Sequence, residues 1–257
     1  MGRHLKELLA LDKLTRVFCL GQLCHPKFVE IIGQHGGFDA VWLDQEHAGV
    51  SIAQIEQACL AARVVGLDSF VRLPPTDYAT VMRCLEAGAG GVMAAQVRSA
   101  AQAEDVLQWS KFHPRGLRGV NGSGVDGRYG TTPMPQYMKR ANEDTFIAIQ
   151  IEHISAVEEV EQIAALKEVD VLFIGPADLG QSMGIVGDWD HPKIWQAIER
   201  VAKAAKANGI HWAILPRNLA YAKRCIELGC KMISIGIDVW TVQRGLKSFL
   251  TEFEALA

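Results

Sequence analysis

Two apolar runs, FIAIQIE (146–152) and VDVLFIGPAD (169–178), each deliver a carboxylate at or just past their downstream end, Glu152 and Asp178. The intervening HISAVEEVEQIAALKE has the periodicity of an amphipathic helix. Strand, helix and strand in that order join parallel neighbours through a right-handed crossover. Both carboxylates therefore fall on the same carboxyl-terminal edge of a sheet. With no cation beside them in sequence they repel one another, unless a positive charge lies between. A hard divalent cation suits that place.

The unit repeats along the chain. Strand candidates at 17–23, 38–44, 69–73, 91–96, 146–152, 169–175, 211–215 and 232–236 alternate with helix-like stretches. The latter fall at 27–35, 51–65, 77–87, 100–109, 155–167, 192–207, 218–228 and 239–256. Several strand candidates are continuously apolar, as strands covered on both faces are. Eight such pairs in 257 residues predict one α/β domain spanning 1–257, a (β/α)8 TIM barrel. An open doubly wound sheet is the alternative. MGRHLKELLALDKL predicts an N-terminal helix. The last stretch places Val239, Val242, Leu246, Phe249, Leu250, Phe253 and Leu256 on one face, as a C-terminal helix used in oligomerisation would.

Composition removes several classes. A net charge of -3 offers no general attraction to nucleic acid or to an anionic membrane. The six cysteines form no CxxC pair and mostly sit in apolar runs, which predicts buried thiols rather than a disulfide frame or zinc site. No apolar signal region opens the chain, and no apolar run reaches the roughly 20 residues of a membrane span. A soluble, cytoplasmic protein is expected. One connection, 111–144, is long and rich in glycine. Counted from strand four, it is expected on the catalytic face as an active-site loop.

Active sites of such barrels use the carboxyl ends of the strands. Those ends offer Asp44, Glu46 and His47 (LDQEHAG), Arg72 (VRLPP), Gln96, Gln150 and Glu152 (QIE), Asp178 (GPAD), Arg217 and Asp238. Glu152 and Asp178 can give two oxygens to a divalent ion, or each can simply cap the following helix. Asp44 can fix the tautomer of His47, or His47 is a surface residue. Arg72 can hold an oxyanion, or it is an ion pair with Asp44 or Glu46. His25 and His153 stand near strand ends as weaker candidates. No lysine ends a strand, so a Schiff-base nucleophile is missing. There is no P-loop, no GxGxxG after the first strand and no GxSxG elbow.

The motifs FDAVWLDQEHAGVS, VRLPP, HPRGLRGV, QIEHISAVEEVEQI and VDVLFIGPADLGQSMG, in this order, resemble the signatures of the HpcH/HpaI aldolases. The resemblance runs from about residue 15 to the C-terminus. It implies a metal-dependent class II aldolase that reversibly cleaves 4-hydroxy-2-oxoacids to pyruvate and an aldehyde. It implies Glu152 and Asp178 as ligands of Mg2+, Mn2+ or Co2+, and Gln150 lining the pyruvate site. Arg72 corresponds to the arginine that contacts the keto oxygen, and His47 with Asp44 to an acid/base dyad. Ala177 and Asp178 match positions whose amides hold the pyruvate carboxylate. It also implies a homohexamer, since family members are commonly hexamers with a swapped C-terminal helix. An acyl-CoA lyase of the wider superfamily and a non-catalytic oxoacid-binding barrel are the alternatives. Strand four, GVMAAQVRS, departs from the family pattern at Ala95 and Gln96, and Gln45 stands where a small residue is usual.

Overall fold

The computed structural model describes residues 5–256; the first four residues of the amphipathic opening segment lie outside it. Eight parallel strands close into a barrel in chain order. They are β1 (Thr15–Leu20), β2 (Ala40–Asp44), β3 (Asp68–Leu73), β4 (Gly91–Ala94), β5 (Phe146–Ile151), β6 (Val171–Ile174), β7 (His211–Ile214) and β8 (Met232–Ile237).

Side chains alternate across a strand, and the barrel uses both faces. Leu20, Leu43, Val71, Val92, Ile149, Leu172 and Ile214 point outward into a core shared with the surrounding helices. Val17, Cys19, Trp42, Phe70, Met93, Phe146, Phe173 and Met232 point inward and fill the barrel. Small residues at Ala40, Ala148 and Ala213 make room for the inward aromatics. The Phe70 and Phe146 rings sit 5.2 Å apart and Trp42 lies 6.3 Å from Phe173. Leu5 and Leu9 of the helix Leu5–Ala10 join this inner cluster, and Lys6 pairs with Asp170 just ahead of β6 at 3.2 Å. That helix therefore plugs the amino-terminal end of the barrel.

The same parity continues to the other end. Inward Ala40 and Trp42 are followed by Asp44, Phe70 by Arg72, Phe146 and Ala148 by Gln150 and Glu152, and Val171 and Phe173 by Gly175. The packing that fills the interior thus aims the polar strand ends into the carboxyl-terminal mouth.

Several boundaries differ from the sequence expectation. β1 ends at Leu20 because the chain turns at Gly21, whose amide donates to Asp238 Oδ2 at 2.8 Å. The helix expected at 155–167 is two pieces, Ile154–Glu158 and Val160–Ala164, broken at Glu159, whose carboxylate accepts from the Ala100 amide at 2.8 Å. A short helix, Pro176–Ser182, additional to the expected series, follows β6, with Pro176 opening it. The long connection is the main correction. It follows the helix Ala100–Ser110, not β4 directly, so it starts on the amino-terminal face. Lys111 Nζ donates to Thr145 O at 3.1 Å there, just ahead of β5. The segment then runs along the flank of the helix Tyr78–Glu86, where the Gly119 amide donates to Tyr78 Oη at 2.5 Å. It ends in a full helix, Met134–Asp144. All six cysteines are buried and free, as expected; burial pushes the Cys24 and Cys59 thiols up to about 11. Among the described residues, no helix is long and apolar enough to cross a membrane.

Candidate active site

Asp44 and Arg72 are direct register partners on β2 and β3. Both point inward, so the guanidinium meets the carboxylate side by side. Arg72 Nε donates to Asp44 Oδ1 at 3.0 Å and Nη2 donates to Oδ2 at 2.6 Å. Its Nη1 lies 3.4 Å from Glu46 Oε2, and its plane stacks 4.9 Å above the Trp42 ring. Although burial opposes the charge, Asp44 and then Glu46 raise the Arg72 pKa above its ordinary value. Five N–H groups sit on a guanidinium. Asp44 takes two, and Glu46 pairs with Nη1 by charge alone without accepting a hydrogen bond, which leaves two on Nη1 and one on Nη2.

The expected pairing of Asp44 with the His47 imidazole is not made. Asp44 Oδ1 instead accepts from the Glu46 and His47 amides at 3.1 and 3.2 Å. Cross-strand register gives Asp44 to Arg72, and the three-residue spacing brings it only the backbone of His47. The exposed imidazole has Glu46 as its nearest acid, with Nε2 3.7 Å from Oε2. That Glu46 oxygen is buried and accepts no hydrogen bond.

Glu152 stands one residue past β5 and is 1% exposed. Its Oε1 accepts from the Gln96 amide at 2.6 Å, and its Oε2 accepts from Gln150 Nε2. Gln96 reaches this point with φ of 55°, in the left-handed region. Burial first, then the charges of Glu46 and Asp178, push the Glu152 carboxyl up to about 7. Gln150 Oε1 is buried without a partner. Asp178 lies in the first turn of Pro176–Ser182, together with Ala177. The first intrahelical bond there is Leu179 N to Gly175 O, so the Ala177 and Asp178 amides have no helical acceptor. A cleft of about 300 Å3 opens over these groups, lined by Gln96, Arg98, Glu152, His153, Asp178 and Gln181.

Two other strand-end candidates go elsewhere. Asp238 is fully buried and takes the Gly21 and Leu23 amides at 2.8 and 2.7 Å. Arg217 pairs at the surface with Asp190 at 3.3 Å. His25 caps the helix Pro26–His35 through Nδ1.

Sequence reasoning passed over Gly175. The inward parity of Val171 and Phe173, which only the folded barrel reveals, places it in the mouth. A Cβ at Gly175 would fall 2.5 Å from Glu152 Oε2 and 2.8 Å from Gln150 Nε2. Gly175→Ala should therefore displace the Glu152 carboxylate. We expect about 1–3 kcal/mol of destabilisation from overpacking, with divalent-cation binding reduced in calorimetry. Unchanged cation binding would show that the close approach is incidental.

The donors are hard oxygens only. Among the described residues no group of three or more His, Cys, Asp or Glu side chains is placed to hold a metal ion, so two carboxylates would need water or substrate oxygens to complete a coordination shell. Two carboxylates at an open cleft suit an ion that keeps places for water and substrate, as Mg2+ does. Glu152 is also burdened by the charges of Glu46 and Asp178, an imbalance that a divalent cation would relieve.

A family model described as HpcH/HpaI aldolase/citrate lyase matches residues 16–244. The 5-keto-4-deoxy-D-glucarate aldolase of Klebsiella pneumoniae is 30% identical over 240 residues, 93% of either chain. The hydroxypyruvate/pyruvate aldolase of Pseudomonas aeruginosa is 32% identical over 227 residues, 87% of this chain and 83% of that one. The crystal structure of an HpcH/HpaI aldolase from Desulfitobacterium hafniense is 31% identical with a TM-score of 0.89, covering 96% of both chains. The chain belongs to the HpcH/HpaI aldolase/citrate lyase family.

Proposed function

We propose that this protein is a metal-dependent class II aldolase, a carbon–carbon lyase that cleaves 4-hydroxy-2-oxoacids to pyruvate and an aldehyde. The observation that carries the reading is the buried, unneutralised Glu152 carboxylate beside Asp178, on the same barrel mouth as the Arg72 guanidinium. Family membership and aldolase relatives support it. Glu152 and Asp178 would hold Mg2+, Mn2+ or Co2+. When bound, the cation supplies Lewis acidity at the oxoacid carbonyl.

The chain's own groups supply the rest. The spare N–H groups of Arg72 Nη1 and Nη2 face the oxygen that gains charge when the C3–C4 bond breaks, and hold it as an oxyanion. Asp44 keeps the guanidinium rigid in that task. His47, with Glu46 beside it, takes the proton of the C4 hydroxyl as the aldehyde carbonyl forms. A proton returned to C3 completes pyruvate. Gln150 lines the oxoacid pocket through its unpartnered amide oxygen side, and the free Ala177 and Asp178 amides receive the oxoacid carboxylate. The last helix, Asp238–Glu252, buries only Asp238 and leaves Phe249 63% and Leu250 76% exposed, which supports assembly into a homo-oligomer such as a hexamer.

The test is exchange of the pyruvate methyl protons in deuterated water. We expect exchange, followed by NMR, with added Mg2+, Mn2+ or Co2+, and a fall to background with EDTA. Exchange that survives EDTA would remove the metal from the account. No exchange with any of the three ions would remove the aldolase.

A further inference from the structure

Asp44 grips the Arg72 guanidinium in its own plane, through Nε and Nη2. Two parallel bonds of that kind fix position along the plane. They leave one motion soft, a tilt of the plane about the line joining the two carboxylate oxygens. Such a tilt would swing the spare N–H groups off their target. One face of the guanidinium is closed against it. The Trp42 ring lies there, with its centroid 4.9 Å from Arg72 Cζ, at cation–π distance. Register explains the placement. Trp42 pairs with Phe70 and Asp44 with Arg72, so the indole occupies the layer directly beneath the ion pair.

An indole supports a cation with its negative face, not with its positive edge. Its orientation therefore matters, and here it is fixed from two strands away. Trp42 Nε1 donates to Ser234 Oγ on β8 at 2.9 Å. Both residues are buried. Ser234 pairs in register with Val17 of β1, and its surroundings inside the barrel are the apolar and thiol side chains of the inner cluster. A lone hydroxyl in such a place costs free energy unless it is bonded. The indole N–H is a donor only and needs an acceptor. Each satisfies the other. The Phe173 ring meets Trp42 at 66° and closes a further side of the indole.

We propose that Trp42, held by Ser234, is a positioning residue for the reaction: its ring face seats the Arg72 guanidinium and aims the spare N–H groups at the oxygen that gains charge. This rests on the oxyanion role given to Arg72 above. Trp42 and Ser234 act only through the guanidinium.

Oxalate and pyruvate separate positioning from bulk structure. Each presents a carboxylate and a neighbouring oxygen. In oxalate that neighbouring oxygen bears the charge that develops during the reaction; in pyruvate it is a neutral carbonyl. Calorimetry on the Mg2+-loaded protein gives the ratio of the two affinities. We expect Trp42→Leu to lower the oxalate-to-pyruvate ratio about 3- to 30-fold, the range of a cation–π contact. Trp42→Phe keeps a ring face and should retain part of the ratio. Ser234→Ala should lower it about 2- to 10-fold, as loss of one hydrogen bond allows. That variant removes a single hydroxyl and leaves the barrel filled, so the test stands even where the buried Trp42→Leu exchange prevents folding. A double variant, Arg72→Ala with Asp44→Asn, reads the guanidinium itself. If it leaves the ratio unchanged, the oxyanion reading of Arg72 fails and the proposal with it. If it lowers the ratio while Trp42→Leu or Ser234→Ala does not, equal weakening of both ligands included, the oxyanion reading stands and the positioning role is overturned.

Discussion

Glu152→Gln should make the metal-free protein more stable at alkaline pH and abolish its turnover. The native carboxyl titrates at about 7 against an ordinary 4.5. The folded state therefore holds its proton more tightly than the unfolded chain does. Stability from this group is fully present below 4.5 and is lost as pH rises through 7. The loss amounts to about 3 kcal/mol. Glutamine cannot ionise, so the variant escapes it. Its amide needs one adjustment, because its new N–H2 group would face the Gln150 N–H2. A flip of the Gln150 amide turns the unpartnered Oε1 toward that donor and satisfies both. Urea unfolding with EDTA should show a gain of up to about 3 kcal/mol at pH 8 and little at pH 4.5. Loss of the cation should cost several kcal/mol of barrier, about a thousandfold in kcat. A variant equally stabilised at both pH values would contradict the buried-charge account.

Arg72→Ala should lose both stability and activity. Asp44 is 6% exposed and Glu46 is nearly as buried, and both rely on this one guanidinium. Removing one partner of a buried ion pair costs about 3–5 kcal/mol, because a charge is left without compensation. Loss of an oxyanion donor costs about 2.7–4 kcal/mol in the barrier. The two effects separate in a double variant. Arg72→Ala with Asp44→Asn removes one stranded charge and should recover much of the stability while turnover stays low. If activity returned with stability, Arg72 would be a scaffold residue and not part of the chemistry.

The barrel was legible because each strand is a compact apolar run and most are followed by a polar residue at the catalytic end. Asp44, Arg72, Gln150 and Glu152 stand out for that reason. The inward and outward parity was not legible, since both faces of strands such as FIAIQI are apolar, and so Gly175 went unnoticed beside Glu152. Asp44 and His47 look like partners along the chain, but partners across a sheet are set by register, which gives Asp44 to Arg72. The long connection was put on the wrong face because the helix Ala100–Ser110 reverses the chain before it begins.

The bond between the Gly21 amide and Asp238 Oδ2 spans 217 positions of the chain. It sits at the seam where β1 meets β8. During synthesis β1 precedes the other strands, and its free edge waits until β8 has left the ribosome. An unpaired edge invites association with other chains for that whole interval. Pairing of β8 with β1 is thus a late event in the life of the nascent protein, and Asp238 adds the Gly21 and Leu23 amides to that seam. Substitutions there should show first as aggregation during expression, before any property of the finished enzyme is affected.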